Sequence, residues 1–185
     1  ALSAVLQAAP GAATPSRAPT PGVAAWEREF QRVQQSLLQA LADDSATAGE
    51  DGHSFLPFRR RCFSLQQAMD AATGSLRAQL RAAVSRLSPG LAQLAALDAA
   101  MAGALAPREQ AQLALMPALL EKHFNRLRQD AADTLPAGAW LARFRQDMRA
   151  LLRAELDLRL QPALGLLATL QQAAPTQGAP AQERP

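Results

Sequence analysis

The sequence predicts an all-α fold, an antiparallel bundle of about five helices, on three observations. Alanine and leucine dominate, tyrosine is absent, and valine and isoleucine are almost absent. Strands favour β-branched and aromatic residues, whereas Ala, Leu, Gln and Arg favour helix. Apolar residues also recur at spacings of three and four over long stretches. The breaks between those stretches are short, and long amphipathic helices joined by short loops pack antiparallel by default. No repeat recurs at a period of about 20–50 residues, which argues against a solenoid.

The chain has 185 residues, enough for one domain with a core of its own. Residues 1–22 read as the end of a helix whose start lies upstream ("ALSAVLQAAP", with the tail of a signal peptide as the alternative), followed by a Pro/Ala/Gly/Thr linker. The bundle is expected over 23–172. Residues 173–185, rich in Pro, Ala and Gln, read as a disordered tail.

Within the bundle, the first helix spans about Val23–Ala42, where Trp26, Phe30, Val33, Leu37 and Leu41 fall within about 80° of arc. The loop "DDSATAGEDGHS" follows. The second helix starts near Phe58, just after Pro57, which suits a first turn. Its apolar positions Phe58, Cys62, Leu65, Met69, Ala72, Leu76, Leu80, Ala83 and Leu87 form a long seam resembling that of a coiled coil. Ser88 caps and Pro89 opens the third helix, about 89–105, with Leu91, Leu94, Leu97, Met101 and Leu105. Pro107 starts or kinks a fourth helix, and Pro117 interrupts it before Leu120, Phe124, Leu127 and Ala131. After "LPAG" the fifth carries Trp140, Leu141, Phe144, Met148, Leu151, Leu152 and Leu158, then Pro162 and a leucine-rich end.

The 18 arginines and one lysine leave a formal charge of only +3, too small by itself to argue for nucleic acid. The charge is uneven. Residues 1–57 hold three Arg against six acids, and residues 58–106 six Arg against two. Arg59, Arg60 and Arg61 fan through about 200° of helix and cannot converge on one phosphate. Arg59, Arg77 and Arg81 do share one edge of the second helix. That edge is expected either to be solvated against the acidic loop or to dock an acidic partner or nucleic acid. Phe63 lies beside it, expected to pack under the 43–57 loop with Phe55 or Leu56, or else to stay exposed at an interface.

Chemistry-bearing residues are sparse. His53 and His123 are isolated and Cys62 lies on an apolar seam, so neither a metal site nor a catalytic Cys–His pair is expected, and no cofactor is. The familiar nucleotide-binding and hydrolase motifs are absent. Glu155 interrupts the apolar seam of the fifth helix. A carboxylate there is costly unless paired. It is expected to be partly buried and bonded to Arg77, Arg81 or Arg126, or to pair with Arg159 four residues on.

The segments "PFRRRCFSLQQAM", "SRLSPGLAQLAALDAAM", "LALMPALLEKHFNRLR" and "PAGAWLARFRQDMRALLRAELDLRLQPALGLLATL" together resemble an uncharacterised proteobacterial domain-of-unknown-function family over most of 57–170. That resemblance implies a soluble accessory encoded near membrane proteins similar to the MotA/TolQ channel class and to OmpA. It supplies no functional residues. The expected function is a non-catalytic interaction or adaptor protein of an envelope-associated assembly. It would be cytoplasmic or peripheral to the inner membrane, with protein partners, no transmembrane segment, and a homodimer formed through the long second helix. The alternative is a nucleic-acid-associated protein using the Arg59/Arg77/Arg81 edge, separable by its salt dependence.

Overall fold

A computed structural model describes residues 22–134 and 138–174. Over these residues the chain forms five α-helices and one short 3-10 turn, with no strand. The elements are α1 (Val23–Ala42), the turn Ser45–Thr47, α2 (Leu56–Val84), α3 (Pro89–Leu113), α4 (Met116–Thr134) and α5 (Ala139–Ala173). The linker and tail expected at the two ends lie outside the described residues, apart from Gly22 at the start and Ala173 and Ala174 at the end.

The bundle is organised around α5. Its 35 residues extend about 52 Å, and eleven of them are buried, from Leu141 to Leu170. Helices α1, α2 and α4 all pack against it. Helix α1 contributes Phe30, Val33, Leu37 and Leu41, four of the five positions read from its periodicity; Trp26 is half-buried beside them. Helix α2 buries Phe58, Cys62, Leu65, Met69, Thr73, Leu76, Leu80, Ala83 and Val84. The bundle's aromatic centre joins Phe55, Phe58, Phe124, Trp140 and Phe144, with ring centroids 5.1–6.1 Å apart, mostly tilted or edge-on.

The loop between α1 and α2 is held by arginines. Arg61 donates to the carbonyls of Ala40 and Asp43, closing the C-terminal end of α1 where carbonyls lack helical partners. From α5, Arg145 donates to the Thr47 carbonyl at 2.6 Å and Arg149 to the Asp44 carboxylate at 3.0 Å. Gly52 turns with φ +87°, and a Cβ there would lie 2.5 Å from the Trp140 ring, so the turn sits tight against α5. The acidic loop thus meets Arg61, Arg145 and Arg149, not the Arg59/Arg77/Arg81 edge.

Several expectations are corrected. Prolines do not divide α3 or α5: Pro107 and Pro162 lie inside continuous helices. Each removes one backbone donor, and Pro107 does so on an exposed stretch, where the freed carbonyl is open to solvent. The α2 seam ends at Val84, because Ser85–Leu87 turn toward the Ser88 cap, whose hydroxyl accepts from Leu91 N at 3.2 Å. Leu87 is consequently exposed. On α5 the core takes Leu152 and Leu156, and the expected Leu151 and Leu158 turn outward. Of the two outcomes expected for Phe63, exposure holds: it is 58% exposed and points off the seam, while Phe55 fills the aromatic centre.

Truncating the aromatic centre should be costly. Phe144→Ala is expected to lower stability by about 3–5 kcal/mol, read from urea denaturation.

Candidate functional site: the outer face of the third helix

Helix α3 is the odd member of the bundle. Among the described residues it packs chiefly against α2, and the only residue it buries fully is Ala95. Its inward side is built from Leu91, Ala95, Asp98, Ala102 and Ala106, at spacings of four, three, four and four, all half-buried or buried. Four of the five are small or charged, so little apolar area holds the helix down. An ionic latch supplements it. Asp98 accepts from Arg77 Nε at 3.0 Å and from Arg81 Nε at 2.9 Å, with both arginine side chains about three-quarters covered. Burial pushes the Asp98 carboxyl up, but the bonds and charges of the two arginines outweigh it and hold it below the usual aspartate value.

Of the apolar positions read on α3, Leu91 turns inward and the other four face outward. Leu94, Leu97, Met101 and Leu105 are between 43 and 57% exposed. Apart from Asp98, residues 89–107 carry no charge at all. The exposed arc is therefore leucine and methionine flanked by Ala96, Ala100, Gly103 and Ala104. No unbroken apolar run reaches the length of a membrane span. Even so, the stretch Pro89–Ala131 is long and apolar enough to cross a membrane by length and composition, with a windowed mean hydropathy of 1.2 and 6% burial.

A cleft of about 540 Å³ opens between the C-terminal half of α3, α2 and α5. Leu113, Met116, Leu151 and Leu158 line it beside Asp70, Arg77, Glu109, Glu155 and Arg159. Glu155 is 4% exposed, as its place in the seam implied. Its partner is not Arg77, Arg81 or Arg126: Arg159 donates to Oε1 at 2.8 Å, and Gln66 reaches across from α2 to Oε2 at 3.1 Å. Arg159 also binds Asp70 at 2.8 Å. The i, i+4 spacing puts Arg159 nearest, while Arg77 and Arg81 are taken by Asp98. Both Glu155 oxygens are thus committed to fixed donors, and the network ties α2 to α5.

The other sites named from the sequence are dispersed. His123 bonds Asp147 at 2.9 Å and Arg126 at 3.0 Å, which joins α4 to α5. Cys62 is fully enclosed, and burial, helped by the Glu155 charge, pushes its thiol up to about 11, where thiolate is scarce at neutral pH. The bonds of His123 run to Asp147 and Arg126 rather than to Cys62. Among the described residues no group of three or more His, Cys, Asp and Glu could hold a metal. Arg59 and Phe63 are exposed on α2, but Arg77 and Arg81 are occupied, so the proposed basic edge is not a continuous row of free cations. The outer face of α3 escaped the sequence reading. Its signal was available: eighteen uncharged residues in a window of nineteen.

Among the described residues these features define an all-helical bundle with a large uncharged helix face left uncovered. The chain belongs to the family described as "Protein of unknown function (DUF3348)", whose profile matches residues 1–172. No curated protein and no solved structure matches it.

Two predictions follow from the latch and the buried carboxylate. With the Asp98 value lowered in the folded state, its contribution is complete above the ordinary aspartate value near 4. It is lost as pH falls through the lowered value. Asp98→Asn at neutral pH should reproduce that loss, raising hydrogen exchange across α3 while α2 and α5 stay protected. Glu155→Ala strands Gln66 and part of Arg159, and is expected to cost about 1–3 kcal/mol, read as a lowered melting temperature.

Proposed function

We propose that this protein is a non-catalytic interaction module, an adaptor of a bacterial envelope-associated assembly, and that the outer face of α3 is its docking surface. The observation that carries this reading is the half-exposed stripe Leu94–Leu97–Met101–Leu105 on a stretch, residues 89–107, that turns no charge outward. Leaving four large apolar side chains in water forgoes the favourable burial that built the rest of the bundle. Their spacings of three, four and four suit a seam that receives another helix. Contiguous exposed apolar patches rimmed by polar residues mark interaction sites. The envelope setting is supported by the family resemblance and not by any residue of the chain.

The test is recovery of partners on the tagged full-length protein from a native host, compared with a Leu97→Asp/Met101→Asp variant. Both positions are exposed, so the variant is expected to keep its circular dichroism and melting temperature while losing its partners. Equal recovery by the two proteins would refute the α3 face as the docking surface.

A further inference from the structure

We propose that the partner seated on α3 is a second copy of this chain, with the two α3 helices antiparallel across a two-fold axis. The inference rests on the reading of this face as a docking surface and names its occupant.

Charge is the first argument. A surface that meets its own copy sets every charge near one of like sign or near whatever its own sequence places opposite. The stripe and its alanine flank avoid that cost by carrying no charge. Asp98, the acid of this stretch, is turned to α2 and neutralised by Arg77 and Arg81. An uncharged face offers a differently charged partner nothing to answer, but it fits itself.

The stripe's symmetry is the second argument. An isologous pair sets residue i on j and j on i, so a stripe that reads nearly alike in both directions meets apolar residues with apolar residues throughout. Leu94 and Leu105 are equidistant from the Ala99–Ala100 midpoint, and Leu97 and Met101 are equidistant from Ala99, half a residue away. A two-fold axis crossing there sets Leu94 on the partner's Leu105 and Leu97 on the partner's Met101. Ala100 and Ala104, on one flank, let the two backbones approach, since interaxial distance follows the size of the contact residues.

Size sets the strength. A helix of 25 residues extends about 38 Å with a face about 10 Å wide. Two such faces sit at or below the lower end of specific interfaces, roughly 1,200 Å² in total. At about 760 Å² for the two faces together, the pair is weak and forms only as concentration rises. The sequence had suggested the long second helix as the dimer seam, but its apolar positions are consumed inside the bundle.

Sedimentation velocity on the full 185-residue chain, from about 1 to about 300 µM, reads the association directly. The expected result is a monomer that becomes a dimer with concentration, while Leu97→Asp stays monomeric throughout with an unchanged melting temperature. A mixture of Leu97→Cys and Met101→Cys chains should form the mixed disulfide faster than either chain forms its own, since antiparallel pairing brings those two positions together; enclosed Cys62 does not compete. A monomer at every concentration overturns the proposal, as does a dimer indifferent to Leu97→Asp. If the monomeric protein still captures a foreign protein or floats with anionic vesicles in a Leu97-dependent way, α3 docks something else and only the self-pairing fails. If those too are indifferent to Leu97→Asp, the docking surface itself is refuted.

Discussion

The burial of α5 governs the rest of the molecule. One helix of 35 residues supplies eleven buried positions, and three others, α1, α2 and α4, pack against it. Each of the three brings an apolar seam that matches α5, and the aromatic centre locks α4 and the start of α2 around Phe144. Once those three neighbours are seated, α3 has no comparable place against α5, and the surface open to it is the flank of α2. What α3 presents to that flank is mostly alanine and one aspartate. A small-residue side permits close approach but buries little area, so the Arg77–Asp98–Arg81 bridge is left to fix the helix in register.

The same arrangement explains the polar interior. A helix as long as α5 passes its apolar stripe through Glu155, and burial of that carboxylate is sustained by two donors on different helices, Arg159 and Gln66. Removing either donor would leave a charge short of partners where water has little access. The arginines, numerous in the sequence, divide by task. Arg61, Arg145 and Arg149 secure the loop before α2, Arg77 and Arg81 secure α3, and Arg159 secures Glu155. The triplet that drew attention in the sequence thus supplies one structural donor, Arg61, and two exposed neighbours, Arg59 and Arg60.

Helix positions were legible because the apolar period is strong and composition offers no competing strand signal. The seam residues of α1 and most of α2 follow directly from that period. Periodicity does not say which of several apolar faces wins the core. On α3 the leucine side is richer in apolar area, yet Asp98 and the alanines face the bundle, where Asp98 meets Arg77 and Arg81 of α2. On α5 the apolar positions are dense enough that two neighbouring stripes compete, and the choice of Leu152 over Leu151 depends on packing against three helices at once. Phe63 illustrates the same limit: local sequence placed it beside a loop, and Phe55 had already filled the site it was expected to share. Proline misled where its lost hydrogen bond faces water. The uncovered face became visible only when burial was assigned, although its lack of charge could be read in "PGLAQLAALDAAMAGALAP".

The central claim is that α3 turns its leucine stripe to solvent within a single copy of the chain and hides its alanine side. Thiol labelling of dilute protein tests it most directly, since native Cys62 is enclosed and its raised thiol keeps the background low. Cysteine placed at Leu97 should react with a water-soluble disulfide reagent at close to the rate of an unfolded peptide, while cysteine placed at Ala95 should react far more slowly. Equal protection at the two positions would contradict the account, because the stripe would then be packed inside the monomer and unavailable to any partner.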